Sequence, residues 1–389
     1  MHGMYMRKAT AALVGLLLAG VAATPAHADT IRSQQWHLDV MKAEDAWKLS
    51  TGKGVTVAVI DSGVNRIPEL EGQVLPGTVF PVGDAPSGRD NDYDGHGTGI
   101  SAMIAGTGKH PSGDGAFGLA PGSAILPIRV PDVNEAAKAP SMVAAIRYAA
   151  DSEAKVINIS KAIGGNPEDD RDRAEAVKYA LSKGKLIFAA AGNYGNSTNN
   201  LLYPAATPGV VGVGAVDANG EPTKESQHGP QVDMAAPGMD IVTACTGKSG
   251  LCKTRGTSDS SALASASAAL LWSVHPEWTN NQVLRVLLNT AGKPVDGSQR
   301  NDYVGYGIVR PRVALQTPGD PGPADVYPLP DLAAASQAGD KPASTSKTDA
   351  PQAAEEEKSG NPLLWVGLGL GACVLIGGAV TAVVVRRNR

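Results

Sequence analysis

The chain has 389 residues, a formal net charge of −4, 42% hydrophobic residues and 4% aromatic ones. The near-balanced charge leaves no basic surplus to hold a nucleic acid, and the apolar fraction excludes a wholly disordered chain. Cysteines number 3, too few for a disulfide-framework miniprotein or a four-cysteine zinc site.

Residues 1–28 read as a secretory signal peptide. Arg7 and Lys8 precede an apolar run over 11–23, and Ala26-His27-Ala28 supplies a small-residue cleavage site. The run is short for an uncleaved anchor, the competing reading. The folded body is expected over 29–316. Nearly continuous apolar, β-branched runs at 55–60, 125–130, 156–159, 186–190 and 210–216 suit strands buried on both faces. Helical periodicity falls between them. Val143, Ile146 and Ala150 share one face, as do Ala174, Val177 and Leu181, with Gly184 as a stop signal. Later, Thr279-Asn280-Asn281-Gln282 forms a capping box ahead of Val283, Leu284, Leu287 and Leu288, and Gly292 ends that helix. This alternation predicts an α/β fold with a mostly parallel sheet and helices on both faces.

Beyond the body, residues 317–361 are rich in Pro, Ala and Ser and carry the acidic run Glu355-Glu356-Glu357. Without apolar periodicity they are expected to form a spacer. Residues 362–385 are uncharged, apolar and long enough to cross a bilayer. A buried core helix is the competing reading, but this run shows no amphipathic face. The arginines of 386–389 predict a cytoplasmic tail. Leader and anchor together place the body outside the cytoplasmic membrane, tethered by its C-terminal helix. Cys245 and Cys252 would then lie in an oxidising compartment, where a disulfide would clip the loop leading to Ser258. Cys373 falls in the anchor helix.

In parallel sheets chemistry gathers at the C-terminal ends of strands. Asp61 ends the first apolar run, in Asp61-Ser62-Gly63. His96 sits in Asp94-Gly95-His96-Gly97-Thr98, before a helical run with Ile100, Met103 and Ile104 on one face. Ser258 stands in Gly256-Thr257-Ser258, ahead of a run of small residues; a helix N-terminus there favours developing negative charge. Asp, His and Ser are the parts of a nucleophilic triad: the hydroxyl needs a base, and the imidazole needs a carboxylate to orient it. Asn193, in Ala190-Ala191-Gly192-Asn193, offers an amide N–H to a tetrahedral oxyanion. The acidic loop Asp90-Asn91-Asp92-Tyr93-Asp94-Gly95 matches only the start of a calcium loop, because Ser101 stands where glutamate is required. No metal or cofactor is expected, and His37, His110, His228 and His275 show no ligand spacing.

The Asp–His–Ser order with these flanks resembles the subtilisin-like serine proteases over residues 35–316. Gly118-Leu119-Ala120-Pro121-Gly122 and Ala235-Ala236-Pro237-Gly238 add to the likeness. The Pro-rich linker, the anchor and an N-terminal segment holding Trp36 and Trp47 are similar to mycosins, the membrane-anchored proteases of type VII secretion. The resemblance implies a subtilisin-like fold with Asp61 orienting, His96 as general base and then acid, and Ser258 as nucleophile. Asn193 joins the Ser258 backbone N–H as oxyanion donor, and Ser160, Gly164 and Gly192 line an extended protein or peptide substrate. It also implies type VII secretion substrates and, as possible partners, secretion membrane components. The alternative is a structural component of that secretion complex with little or no proteolytic role.

Three departures from the family pattern stand out. Gly99 occupies a position where many secreted relatives carry a second histidine. Ser160-Lys161-Ala162-Ile163-Gly164-Gly165 replaces the usual Ser-Leu-Gly segment, and Asp259-Ser260-Ser261-Ala262 replaces Met-Ala-x-Pro. Asp259 either discourages acidic substrates or lowers activity, or points harmlessly outward. The few mature residues ahead of Asp61 are too short for a folded inhibitory pro-domain, so no conventional self-cleavage is expected. The segment with Trp36 and Trp47 is expected to wrap the body instead.

Overall fold

The computed structural model describes residues 30–80, 91–131, 138–165, 170–247 and 249–339. The leader, the anchor over 362–385, the tail, the acidic run and Cys373 lie outside the described residues. Among the described residues no helix is long and apolar enough to cross a membrane.

The frame is a seven-stranded sheet in which every pairing is parallel. Its strands are β1 (Thr56–Asp61), β2 (Thr78–Val79), β3 (Ala124–Arg129), β4 (Val156–Ile159), β6 (Leu186–Ala190), β8 (Val211–Val216) and β9 (Met234–Pro237). Two short antiparallel ribbons, β5 (Ile163–Gly164) with β7 (Leu202–Tyr203) and β10 (Ile241–Ala244) with β11 (Leu251–Thr254), lie outside it. The sheet order is β2-β3-β1-β4-β6-β8-β9. The chain steps from β1 to β3 on one side, then crosses back to β4 on the other. Their C-terminal ends therefore open a crevice at the switch point, where such sheets bind ligands.

The expected strands all form, with ends shifted by at most one residue. Val57, Ile60, Ile157, Phe188 and Val213 are essentially buried, as the continuous apolar runs require. One face carries α4 (Lys138–Asp151) and α5 (Arg171–Ser182). The opposite face carries α3 (His96–Ala105) and α6 (Thr257–Val274), and α7 (Asn280–Thr290) and α8 (Pro311–Gln316) pack behind α6. The capping box of α7 forms, with Thr279 N–H donating to Gln282 Oε1 at 3.1 Å.

Helix α6 runs through the core, against β4, β6, β8 and β9. Its small residues permit that close approach, but Ser261, Ser265 and Ser267 are then 0% exposed and need partners. Ser267 Oγ donates to the Leu263 carbonyl, one turn back. Asn158 on β4 accepts from Ser261 Oγ at 2.8 Å and Ser265 Oγ at 3.1 Å. Because β4 is central, this polar ladder fixes the rotation of α6 about its axis.

The N-terminal segment wraps the body as expected, in α1 (Trp36–Val40) and α2 (Ala43–Trp47). Trp47 Nε1 donates to the Leu119 carbonyl and Gln35 Nε2 to those of Phe117 and Val242. Trp36 Nε1 reaches the Met239 carbonyl. His37 is fully buried there, and burial together with nearby Arg32 lowers its pKa to about 3, so it is neutral packing.

One expectation needs correction. The spacer does not begin at Thr317: residues 317–330 lie along the body, and α9 (Asp331–Gly339) follows. Leu329 is buried, and Arg285 donates to the carbonyls of Pro321, Pro323 and Val326. Thr279 Oγ1 and Asn281 Nδ2 both donate to the Ala324 carbonyl. A Pro-rich segment has no periodicity to read, yet its carbonyls dock wherever donors are arrayed. Replacing Arg285 with alanine removes three carbonyl partners at once. We expect a loss of about 2 kcal/mol in stability and faster proteolytic cutting within 317–330, read by limited proteolysis of the folded protein.

Candidate active site

Asp61 is the last residue of β1, so the strand delivers its carboxylate to the crevice. It is 0% exposed. His96 opens α3, and its Nδ1 lies 2.8 Å from Asp61 Oδ1. Ser62 N–H donates to the same oxygen at 2.7 Å. Gly97 lets α3 come this near: a Cβ there would stand 2.2 Å from the Gly63 carbonyl oxygen. Asp92 holds the start of the helix, its Oδ2 accepting from Thr98 N–H at 2.7 Å and Thr98 Oγ1 at 2.6 Å. The acidic loop thus uses this carboxylate to cap a helix whose N-terminal amides need acceptors.

Charge couples the pair. Burial pushes Asp61 upward, but the His96 charge, its hydrogen bond, Lys161 and the Ser62 amide outweigh it and hold the carboxyl below its ordinary range. Asp61 in turn raises His96, against burial and Lys161. Lys161 Nζ stands 3.7 Å from Asp61 Oδ1 and 3.4 Å from Asp94 Oδ2.

Ser258 is the second residue of α6, and its side chain is close to buried. Its hydroxyl donates to the Ser160 carbonyl at 3.4 Å, and Ser160 Oγ donates back to the Ser258 carbonyl at 3.4 Å. Among the described residues no hydrogen bond joins Ser258 Oγ to His96. The histidine is oriented by Asp61, while the serine rests on the Ser160 side of the crevice.

Asn193 stands beyond the end of β6, next to the start of α6. Thr257 N–H donates to its Oδ1 at 2.9 Å, and Thr257 Oγ1 does so at 3.1 Å. An N–H can point only at an oxygen, so the amide orientation is fixed and Nδ2 is left as a donor. Gly192, expected to line substrate, has both backbone groups hydrogen-bonded within the fold. It is buried, its N–H donates to Thr257 Oγ1 and its carbonyl accepts from Gln227 N–H. At φ +117 a Cβ there would also lie 1.6 Å from Gln227 Oε1, so this glycine serves packing. Gly164 lies on β5, exposed and paired with Leu202 of β7.

Two features were missed or left open in the sequence. Asn158, which steers α6 and donates to Ser160 Oγ at 3.0 Å, carried no signal beyond its place in a strand. Asp259 does not point outward: it is 3% exposed, and its Oδ2 accepts from Thr254 Oγ1 at 2.8 Å. Burial raises its pKa to about 6, opposed by that hydrogen bond and by the His96 charge. It shares a cavity of about 360 Å³ with Asp94, His96 and Met103. A larger cavity, of about 920 Å³ beside Val64, Arg66 and Leu70, contains none of the triad candidates. Cys245 and Cys252 form the expected disulfide between β10 and β11, with Cα atoms 5.8 Å apart, on the wall of the smaller cavity.

Residues 52–307 match the Subtilase family model. Mycosin-1 of Mycolicibacterium smegmatis is 32% identical over 332 residues, covering 72% of this chain and 72% of that protein. Thermitase of Thermoactinomyces vulgaris is 35% identical, covering 54% of this chain and 72% of that protein. The crystal structure of MycP1 from Mycobacterium smegmatis superposes with a TM-score of 0.66 at 31% identity, covering 78% of this chain and 89% of that one. The periplasmic assembly from the ESX-5 inner membrane complex contains a chain matching at a TM-score of 0.65 and 28% identity, with coverages of 84% and 90%.

Asp259 makes stability depend on pH. Its folded pKa of about 6 exceeds the ordinary 3.8, so the folded state holds a proton the unfolded chain has released. Its contribution to stability therefore falls as pH rises from about 4 through 6. Asp259→Asn removes that penalty. We expect the variant to exceed the parent in stability by about 3 kcal/mol at pH 8, with the advantage vanishing below pH ~4, by denaturant titration at both pH values.

Proposed function

The chain belongs to the subtilase family of serine peptidases, and from that premise we propose that it is a membrane-anchored, extracytoplasmic endopeptidase acting in type VII secretion. The observation that carries the peptidase reading is the pairing of buried Asp61 with half-buried His96, 2.8 Å apart, beside a helix that presents Ser258 at its N-terminus. The secretion role rests on the mycosin relatives and on the ESX-5 inner membrane complex as a structural neighbour. The apolar span 362–385 supports the anchor.

The chemistry follows from the donors and acceptors in place. Asp61 accepts the Nδ1 proton of His96, which leaves Nε2 with the lone pair. Rotation of Ser258 about χ1, away from the Ser160 carbonyl, is the movement that brings Oγ to that lone pair. Nε2 takes the hydroxyl proton as Oγ attacks the scissile carbonyl. Asn193 Nδ2 and the Ser258 backbone N–H then face the oxyanion, aided by the positive end of α6. His96 returns its proton to the leaving amine, and water repeats the sequence on the acyl-enzyme. Leaving Ser160 also frees its carbonyl, which becomes an acceptor for an extended peptide adding along this segment toward Gly164.

The second reading, a scaffold with little proteolytic role, is favoured by the Ser258 hydroxyl resting on Ser160 rather than on His96. Fluorophosphonate labelling of the full chain in mild detergent separates the two. Stoichiometric labelling, abolished by Ser258→Ala and by His96→Ala, is expected; no labelling of folded protein would sink the peptidase reading. With a cleavable peptide, Asn193→Ala is expected to lower kcat by about 10²–10³, a magnitude taken over from the equivalent donor of subtilisin.

A further inference from the structure

Lys161 directly follows Ser160 and lies beside the Asp61–His96 pair. Its side chain is only 10% exposed, so its ammonium has little water to solvate it and needs anionic partners. Asp94 and Asp61 supply them, at 3.4 Å and 3.7 Å, and the Tyr93 ring lies 5.6 Å away. Three separate segments meet at this one cation: the end of β1, the loop before α3 and the strand exit after β4. Among the described residues all the hydrogen bonds to the Asp61 carboxylate fall on Oδ1, and the buried Oδ2 has none.

Building on the peptidase reading, we infer that Lys161 is a positioning residue of the Asp61–His96 pair. Its ammonium, held between Asp61 and Asp94, pins Asp61 Oδ1 against His96 Nδ1 and offsets part of the acidic charge around the imidazole.

The surroundings show why such an offset matters. His96 faces Asp61 from β1, Asp94 from its own loop and Asp259 from α6, with Lys161 as the buried cation among them and Tyr93 beside it. The exposed Arg255 lines the same cavity. Three carboxyls about one imidazole favour its protonated form, and a protonated His96 cannot accept the Ser258 proton. Lys161 opposes this directly, and Asp61 and Asp94 in turn keep Lys161 charged.

The test uses the full chain in mild detergent. The rate of fluorophosphonate labelling is followed against pH, and the His96 titration is followed by NMR of ¹³C-histidine in a Ser258→Ala background. Lys161→Met should move the midpoint of the acidic limb up by about one pH unit, which lowers the labelling rate on that limb by about tenfold. The NMR midpoint should rise with it, and Lys161→Arg should return both toward the parent values. A folded Lys161→Met protein with parental midpoints overturns the inference. So does a change confined to KM for a peptide, which would make Lys161 a substrate contact only. If Lys161→Met does not fold, Lys161→Gln replaces it. Because the NMR arm needs no turnover, a shifted His96 midpoint in a chain that never labels keeps Lys161 in place and removes only the peptidase reading.

Discussion

A carboxylate with no exposure to water, at the end of a central strand, constrains everything around it. Asp61 is fully buried and charged, and a buried charge is tolerable only where partners replace the lost water. The imidazole of His96, the Ser62 amide and the Lys161 ammonium provide that replacement. Each partner brings its own requirement. His96 reaches Asp61 because α3 begins beside β1, which Gly97 permits and the Asp92 cap stabilises. Lys161 reaches it because β4 is the neighbour of β1 in the sheet.

The other half of the site is set by a different balance. Helix α6 is buried over most of its length, and its serines must find acceptors inside the protein. Asn158 receives two of them and also holds Ser160. The same contacts that satisfy the core thus decide where Ser258 stands relative to β4. Asn193 is oriented by Thr257, the residue just before Ser258, so the proposed oxyanion donor and the serine are held through one contact. A hydrogen-bonded serine–asparagine half faces a hydrogen-bonded aspartate–histidine half across the crevice, and the Ser258 hydroxyl bonds to Ser160 rather than to His96.

Asp259 and the 317–330 strap show how a plain local reading falls short. A carboxylate beside Ser258 left open in the sequence whether it meets substrate, lowers activity or faces outward. Burial places it under the His96 side of the crevice, where Thr254 is its hydrogen-bond donor. A Pro-rich tract reads as unordered because it has no periodicity. Arg285, Thr279 and Asn281 nonetheless form a row of donors on and beside α7, and the tract's carbonyls satisfy them.

The sequence by itself determined the strands of the parallel sheet and the capping box of α7, and it supplied Asp61, His96, Asn193 and Ser258 as the site candidates in their chain order. These features are local: periodicity, caps and short motifs are written in neighbouring residues. Tertiary structure alone decided that Lys161 meets Asp61 and Asp94, that Asn158 receives the serines of α6, that Asp259 is buried and that the strap docks. Each of these depends on which strand lies next to which, and on which charges lose their water together. Such pairings join residues far apart in the chain, and nothing in the neighbourhood of either partner records them.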